Sequence, residues 1–455
     1  MLKKPVNKDG MQLVDAAEAP RLKSSGEMIA EIISRFAETK ISFPLFAVIS
    51  FFCFVVSARI GGFNAFDIAQ QTNEACCALY LCDYNIGFST RFLVGAVLGL
   101  FTDKVSPTLV YTIGGTTIII SFVLQAIIAA AVLKKSLIRK EYAVTLLTMV
   151  FLLHSLTSIE NIRIKGCLDT FILILFLLWL MFYDSVVSVV SAPAVCVIAM
   201  LIHYSYIFTF MPPVLALVFY CIFFSESRKK RISAGVFFSL GCILTISLFV
   251  YFVFFANDHL RMTSDECYDY LVSRFALTPI EEIHMKNIFD GNVLFRVYID
   301  CYFFNKDRQL NQLGGVKDEL ELIRNEVINY VPGAVYLKYA AVFVPLFIVF
   351  VILWIACMRK VRGTKKLPYI VFICMPVVLL PSNLMSSDVW RWVSAAIIAQ
   401  FSVFFALYKK GDDALLGTLQ SGFLQRRAVK AALGLLTAVY ICFALWFGTV
   451  LPITH

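Results

Sequence analysis

The chain has 455 residues, 60% hydrophobic and only 16% charged, with a formal net charge of +9 and a mean hydropathy of +0.79. A soluble domain carries about a quarter charged residues and about half apolar ones, so this balance excludes a soluble enzyme or adaptor and fits a polytopic membrane protein. The basic excess does not mark a nucleic-acid binder, because the lysines and arginines sit in short clusters between apolar runs, as in cytoplasmic loops.

Residues 1–40 are polar and read as a cytoplasmic segment without a cleavable signal peptide. Within it Met28, Ile29, Ile32, Ile33 and Phe36 recur at helical spacing, which predicts an amphipathic helix lying on the membrane surface. From residue 41 onward, apolar runs fall at 41–58, 109–133, 142–158, 170–183, 186–202, 206–224, 232–256, 339–358, 367–380, 389–408 and 428–450. They predict an all-α, polytopic membrane helical bundle over 41–455, with about eleven transmembrane spans. Two long external connections, 59–108 and 257–338, are expected to hold short helices. With eleven crossings, KKSLIRK (134–140), SRKKR (227–231), RKVRGTKK (359–366) and the basic stretch 409–427 all fall on the side of the N-terminus. Short cytoplasmic loops are rich in Lys and Arg, so the N-terminus is expected inside the plasma (inner) membrane and the C-terminus outside.

The stretch CDYNIGFSTRFLVGAVLGLF, residues 82–101, is apolar in its second half but too short to cross. A crossing there would also move every later basic loop outside. It therefore predicts a juxtamembrane or re-entrant helix over 88–101, with Ser89 as its cap and Gly95 and Gly99 allowing close packing. The thirteen cysteines lie mostly inside apolar runs, where they act as small hydrophobes. Cys76, Cys77 and Cys82 are candidates for pairing in an oxidising compartment, and no spacing suggests bound zinc.

Four polar groups stand out, because charge near a bilayer is costly. They are DYNIGFSTR with Asp83 and Arg91; SIENIRIKGCLDTF with Glu160, Arg163, Lys165 and Asp169; LIHYSYIFTFMPP with His203, Tyr204 and Ser205; and SNLMSSDVWRW with Asp388, Trp390 and Arg391. By the charge rule all four lie at the external ends of spans. Each also has a plain structural reading. Asp388 and Arg391 are spaced to pair along one helix face, the tryptophans suit interfacial anchors, and His203 suits a turn. Asp67 is a further candidate, whereas Asp265 and Glu266 read as solvated loop residues.

Arginine beside an apolar wall suits the phosphate of a lipid carrier, because guanidinium is planar, always charged and binds phosphate through two parallel hydrogen bonds. Carboxylates and a histidine nearby suit proton removal from a sugar hydroxyl. Together they point to glycosyl transfer from a polyprenyl-linked donor at the external surface. In that reading Arg91, Arg163, Lys165 and Arg391 hold the lipid phosphate, and Asp83, Glu160 or His203 takes the acceptor proton. Asp67, Asp388 and Trp390 are further substrate contacts.

At NIRIKGCLDTF followed by LIHYSYIFTFMPP the chain resembles bacterial polysaccharide polymerases of the Wzy and EpsG kind. His203 and Ser205 match that family's His-x-Ser tip. Asn161 and Arg163 approximate its Asn-x-x-Arg stretch with the arginine one residue early, and Arg391 fits its late external arginine. The resemblance implies repeat-unit polymerisation on an undecaprenyl diphosphate carrier without a bound metal, alongside other polysaccharide-assembly proteins. The chain is also similar in outline to multi-span GT-C-like glycosyltransferases that move single sugars from lipid-phosphate donors. That likeness implies Asp67 or Asp83 as base and admits a divalent cation. A lipid-linked glycan flippase is the reading from another class. It fits less well, because the charges cluster at one face and the halves show no internal repeat.

Overall fold

The computed structural model of the protein describes residues 25–60, 74–159, 167–183, 185–277, 333–379 and 389–450. Every regular element among them is helical. The helices are α1 (Ser25–Glu38), α2 (Ser42–Ile60), α3 (Glu74–Leu81), α4 (Phe92–Gly99), α5 (Pro107–Ile138), α6 (Tyr142–Leu153), α7 (Ser155–Ile159), α8 (Asp169–Met181) and α9 (Val186–Ile202). They continue with α10 (Met211–Phe224), α11 (Arg228–Phe254), α12 (Ser264–Arg274), α13 (Gly333–Lys360), α14 (Leu367–Cys374), α15 (Val389–Lys410), α16 (Asp413–Leu419), α17 (Gly422–Gln425) and α18 (Arg427–Val450). Six segments, on α2, α5, α11, α13, α15 and α18, are long and apolar enough to cross a membrane. The apolar helices α6, α8, α9 and α10 are shorter. Each predicted apolar run coincides with one of these helices, with α6 and α7 in succession, or with α14 and its following 3-10 turn.

The interior is not the most apolar part. The Trp392–Lys410 segment of α15 has the lowest mean hydropathy of the six, 1.4, yet 89% of it is buried, whereas the Arg427–Phe447 segment of α18 reaches 2.0 with 6% buried. This inversion follows from the solvent. Lipid tails are as apolar as leucine, so helices associate through packing and buried polar contacts while the greasiest faces turn outward. On α15, Gln400 accepts from Trp354 Nε1 at 2.9 Å and donates to the Phe372 carbonyl at 2.7 Å, joining α13 and α14. Ser394 donates to the Leu156 carbonyl on α7.

The helix ends sort by charge. Lys135 at the end of α5 donates to the Tyr408 and Lys409 carbonyls at 2.9 and 2.8 Å. Lys409 donates to Met181 at the end of α8, and Lys134 to Thr39 between α1 and α2, both at 3.0 Å. These ammonium groups satisfy C-terminal carbonyls and oppose the helix dipoles. The Lys365 ammonium lies 5.5 Å from the Phe224 ring at the end of α10. The basic connectors thus gather at one end of the bundle. The opposite ends of α5, α8, α9, α10 and α11 meet the long connections instead.

Helix α1 presents three sectors. Ser34 and Ala37 are buried against the bundle, Glu31 and Arg35 pair at 2.7 Å on the polar side, and Met28, Ile29, Ile32, Ile33 and Phe36 remain exposed. The apolar stripe predicted from spacing is therefore an outward face, with only Phe36 turned partly onto Phe46 of α2.

Candidate functional site

At the end remote from the basic connectors, the 82–91 stretch folds as a tight turn rather than a helix. The Asp83 carboxylate accepts from the Asn85 backbone N–H at 2.9 Å, the Asx-turn pattern. Gly87 lets the chain lie against Leu260, where a side chain would have no room. Helix α4 starts only at Phe92. Ser89 is buried and does not cap it. The N-cap is Arg91, which has a left-handed backbone (φ 73°) and makes no side-chain cap. That conformation is costly for a residue with a Cβ and persists where the surroundings dictate it. Here the Arg91 N–H donates to the Leu201 carbonyl at 3.0 Å, and the Thr90 hydroxyl donates to Met200 while accepting from the Tyr204 N–H, each at 3.0 Å.

Gly95 packs on the chain of the turn itself, as its spacing with Gly99 suggests. A Cβ at Gly95 would run into the Cys82 carbonyl oxygen. Gly95→Leu is therefore expected to destabilise the protein by about 1–3 kcal/mol, the range for overpacking, read as a lower unfolding temperature in detergent. An unchanged temperature would show that α4 is not seated there. Cys77 and Cys82 are buried, and no disulfide joins them among the described residues. Cys82 is pushed well above its usual range, first by burial and then by Cys267 nearby.

Two polar assemblies result. In the first, Arg274 at the end of α12 reaches across the turn. Its Nη1 donates to Asp83 Oδ2 at 2.5 Å and to the Leu81 carbonyl at 2.7 Å. Tyr270 donates to the same carboxylate oxygen at 2.7 Å and accepts from Asn85 Nδ2 at 2.9 Å. Helix α12 is tied down on three sides. Val105 exchanges backbone hydrogen bonds with Arg274 and Ala276, Arg261 donates to Ile86, and Lys104 donates to the Ser273 carbonyl. A cavity of about 390 Å³ opens between α4 and α12, lined by Asp83, Tyr84, Asn85, Gly99, Asp103 and Arg274 among others. Burial lifts the Tyr84 hydroxyl to about 12, so it is neutral at physiological pH.

The second assembly is built on the turn after α9, where a 3-10 segment (Tyr204–Ile207) separates α9 from α10. His203 Nδ1 accepts from the Ser205 N–H at 2.9 Å, so a neutral imidazole carries its proton on Nε2. The Ser205 hydroxyl donates to Asp169 Oδ1 at 2.9 Å, and Cys167 contacts Oδ2 at 3.2 Å. The Arg91 guanidinium lies 5.5 Å from the Tyr204 ring. Trp392 of α15 packs edge-on against Phe208, centroids 6.3 Å apart. This turn, itself one of the four polar groups, therefore touches segments from the other three.

Arg91 thus meets the turn that carries His203, and Asp83 stands at the other end of the 82–91 stretch, in the first assembly. Asp67, Glu160, Arg163, Lys165 and Asp388 lie outside the described residues, as do the side chains of Trp390 and Arg391, whose backbones open α15. Asp83 is committed to Arg274 and Tyr270. Among the described residues no three His, Cys, Asp or Glu side chains gather as a metal donor set.

The structure also adds residues that reading along the chain did not single out. Arg274 and Tyr270 belong to a long loop with no marked motif. Asp169 was visible in its polar group, without a reason to prefer it. His154, inside an apolar run, breaks the chain between α6 and α7. It accepts from the Leu156 N–H at 3.1 Å and meets the Tyr440 hydroxyl at 3.0 Å, which in turn donates to the Val342 carbonyl at 2.6 Å. It is fully satisfied and reads as a joint between helices.

Asp265 and Glu266 are not loop residues. They form the first turn of α12, where Thr263 and Glu266 make a reciprocal capping box. The Glu266 carboxyl is held below its usual range, first by the Thr263 backbone N–H and then by its hydroxyl. Its contribution is therefore present above the ordinary carboxylate range and lost as pH falls through the lowered value. The protection of amides at the start of α12, taken relative to their intrinsic exchange rates, is expected to fall on acidification from pH 6 to 3. Glu266→Gln, which keeps the acceptor, should flatten that response, and an equally steep response in the variant would exclude Glu266 as its origin.

No family model matches the chain, and neither a curated protein nor a solved structure is found similar to it.

Proposed function

We propose that the protein is a membrane glycosyltransferase of the polysaccharide-polymerase type, joining glycan units from a polyprenyl-(di)phosphate donor at the extracytoplasmic face. The observation that carries this reading is the meeting of the Asp83–Arg91 turn, Asp169 and Trp392 around the His203 tip, at the end opposite the basic connectors. By the charge rule, that polarity supports a basic end in the cytoplasm with the N-terminus, a C-terminus outside, and the plasma (inner) membrane around the bundle. The shorter helices complete their crossings with flanking turns, giving about eleven spans.

Each group has a role that its contacts support. With Nδ1 occupied, His203 offers Nε2–H as a donor to a phosphate oxygen. Arg91, backbone-locked beside it, supplies positive charge for the same phosphate, with Arg163, Lys165 and Arg391 as further phosphate ligands. The acceptor hydroxyl attacks the anomeric carbon as the bond to phosphate oxygen breaks. The electron pair leaves with the phosphate, and the hydroxyl proton passes to a carboxylate, Asp169 or Glu160. Asp83 is a poorer base, because it is held in a buried ion pair with Arg274, whereas the partners of Asp169 given above, Ser205 and Cys167, are neutral. The short helices α3 and α4 in the first long connection also fit a transferase of single sugars, the second reading.

Mass spectrometry of co-purifying lipid is expected to find a polyprenyl diphosphate oligosaccharide. Arg91→Ala and His203→Ala are expected to slow glycan elongation by roughly a hundredfold, as loss of a transition-state donor does. Only bulk phospholipid, together with unchanged elongation in both variants, would overturn the proposal. Passage of a lipid-linked glycan across vesicles without a new glycosidic bond would replace it with a transporter.

A further inference from the structure

We infer that the cavity between α4 and α12 binds one sugar residue of the acceptor glycan, and that it takes a neutral or amine-bearing sugar while rejecting an acidic one. This rests on the glycosyl-transfer reading for the word acceptor. The binding itself is argued from the cavity.

Its volume, about 390 Å³, falls at the small end of the range for small-molecule sites, about 300–1,000 Å³. That suits one ring more than an extended chain. The wall mixes groups that hydroxyls recognise. Asp83 and Asp103 accept hydrogen bonds, Arg274 and Asn85 donate them, and Tyr84, Tyr270, Ala96 and Leu100 supply aromatic and apolar surface. The groups at its base are prearranged. Asp83 and Arg274 are buried and locked together with Tyr270, so binding need not order them. Gly99 lets α4 approach the guanidinium closely, since a Cβ there would sit 3.1 Å from Arg274 Nη2.

Charge sets the selectivity. Two carboxylates and one guanidinium line the cavity, a net excess of one negative charge. Arg274 is already paired with Asp83, which leaves Asp103 as the uncompensated group on the rim. Lys104, next in sequence, is engaged with the Ser273 carbonyl and is not part of the lining. A uronate or phosphosugar would place a second anion beside Asp103. A neutral ring would meet only hydrogen-bond partners, and an ammonium sugar would be attracted.

The test is saturation-transfer NMR on the full-length protein in detergent, with methyl glucoside, glucosamine and glucuronate as probes. Methyl glucoside and glucosamine are expected to receive saturation, with glucuronate binding at least several-fold weaker. Ala96→Phe, which puts a ring into the cavity and leaves both charged residues in place, should abolish transfer to all three. Asp103→Asn changes an exposed side chain and leaves the fold intact. It should narrow the gap between glucosamine and glucuronate by roughly two- to fivefold, the scale of a solvent-screened charge pair. Equal binding of glucuronate and glucosamine by the wild type would overturn the inference, as would undiminished binding in Ala96→Phe. Because no transfer is measured, sugar binding without polymerisation would leave the site standing and remove only its acceptor role.

Discussion

Replacing Arg274 by methionine is expected to destabilise the site end by about 3–5 kcal/mol, the cost of leaving one partner of a buried ion pair uncompensated. The two side chains are only 9% and 10% exposed, so water cannot take over the guanidinium's role. The loss reaches beyond the pair. The guanidinium also satisfies the Leu81 carbonyl at the end of α3. With the guanidinium gone, α12 keeps its backbone ties to Val105 and Ile86 but loses its side-chain link to the 81–83 turn, and the cavity loses its base. Cys82 and Cys267 are buried free thiols in this part of the fold, which provides the readout. A thiol-reactive dye should label them at a markedly lower temperature in Arg274→Met than in the wild type. Asp83→Asn alone should also destabilise, and the double variant should lose less than the sum of the two, because removing both charges leaves none buried. Strict additivity would mean that the pair does not carry the energy assigned to it.

The sequence makes one level of this structure legible and hides another. Apolar runs map onto helices because a helix in lipid must satisfy its own backbone, so hydropathy alone locates it. The sorting of Lys134, Lys135, Lys365 and Lys409 to one end follows from the same periodicity plus the charge rule. The nearness of Asp83 and Arg91 to His203 was legible only as a shared membrane face. Their actual junction runs through Thr90 and the carbonyls of Met200 and Leu201, which leave no mark in a sequence. Arg274 was hidden for a different reason. Its partner lies 191 residues away, and no helical period spans that distance. His154 did carry a signal, as an ionisable residue inside an apolar run, which in a membrane calls for a named partner. Ser89 misled because serine is a common cap. Here the Thr90 hydroxyl is drawn to the Met200 carbonyl and the Tyr204 N–H, and the chain enters α4 through a left-handed Arg91.

The second large effect lies at the basic end, where Asp412→Ala is expected to cost on the order of 4 kcal/mol. Asp412 is an acid among basic connectors, and it is buried. One carboxylate oxygen accepts from the Tyr220 and Tyr369 hydroxyls at 2.5 and 2.8 Å, and the other caps α16 through the Leu415 N–H at 2.7 Å. Gly411, with φ 87°, makes the sharp exit from α15 that brings the carboxylate in. Alanine removes a cap worth about 1 kcal/mol and strands two buried hydroxyls at about 1–3 kcal/mol each if nothing relaxes. Tyr220→Phe or Tyr369→Phe should each destabilise the wild type yet be neutral or stabilising in the Asp412→Ala background, because the stranded hydroxyl is then gone. Asp412→Asn, which keeps an acceptor for the cap, should fall between. Thermal unfolding of the set in detergent measures all of these. Sugar binding at the opposite end, measured well below the unfolding temperature, should be unaffected in Asp412→Ala. Its loss there would mean that the two ends are coupled through α10 and α15.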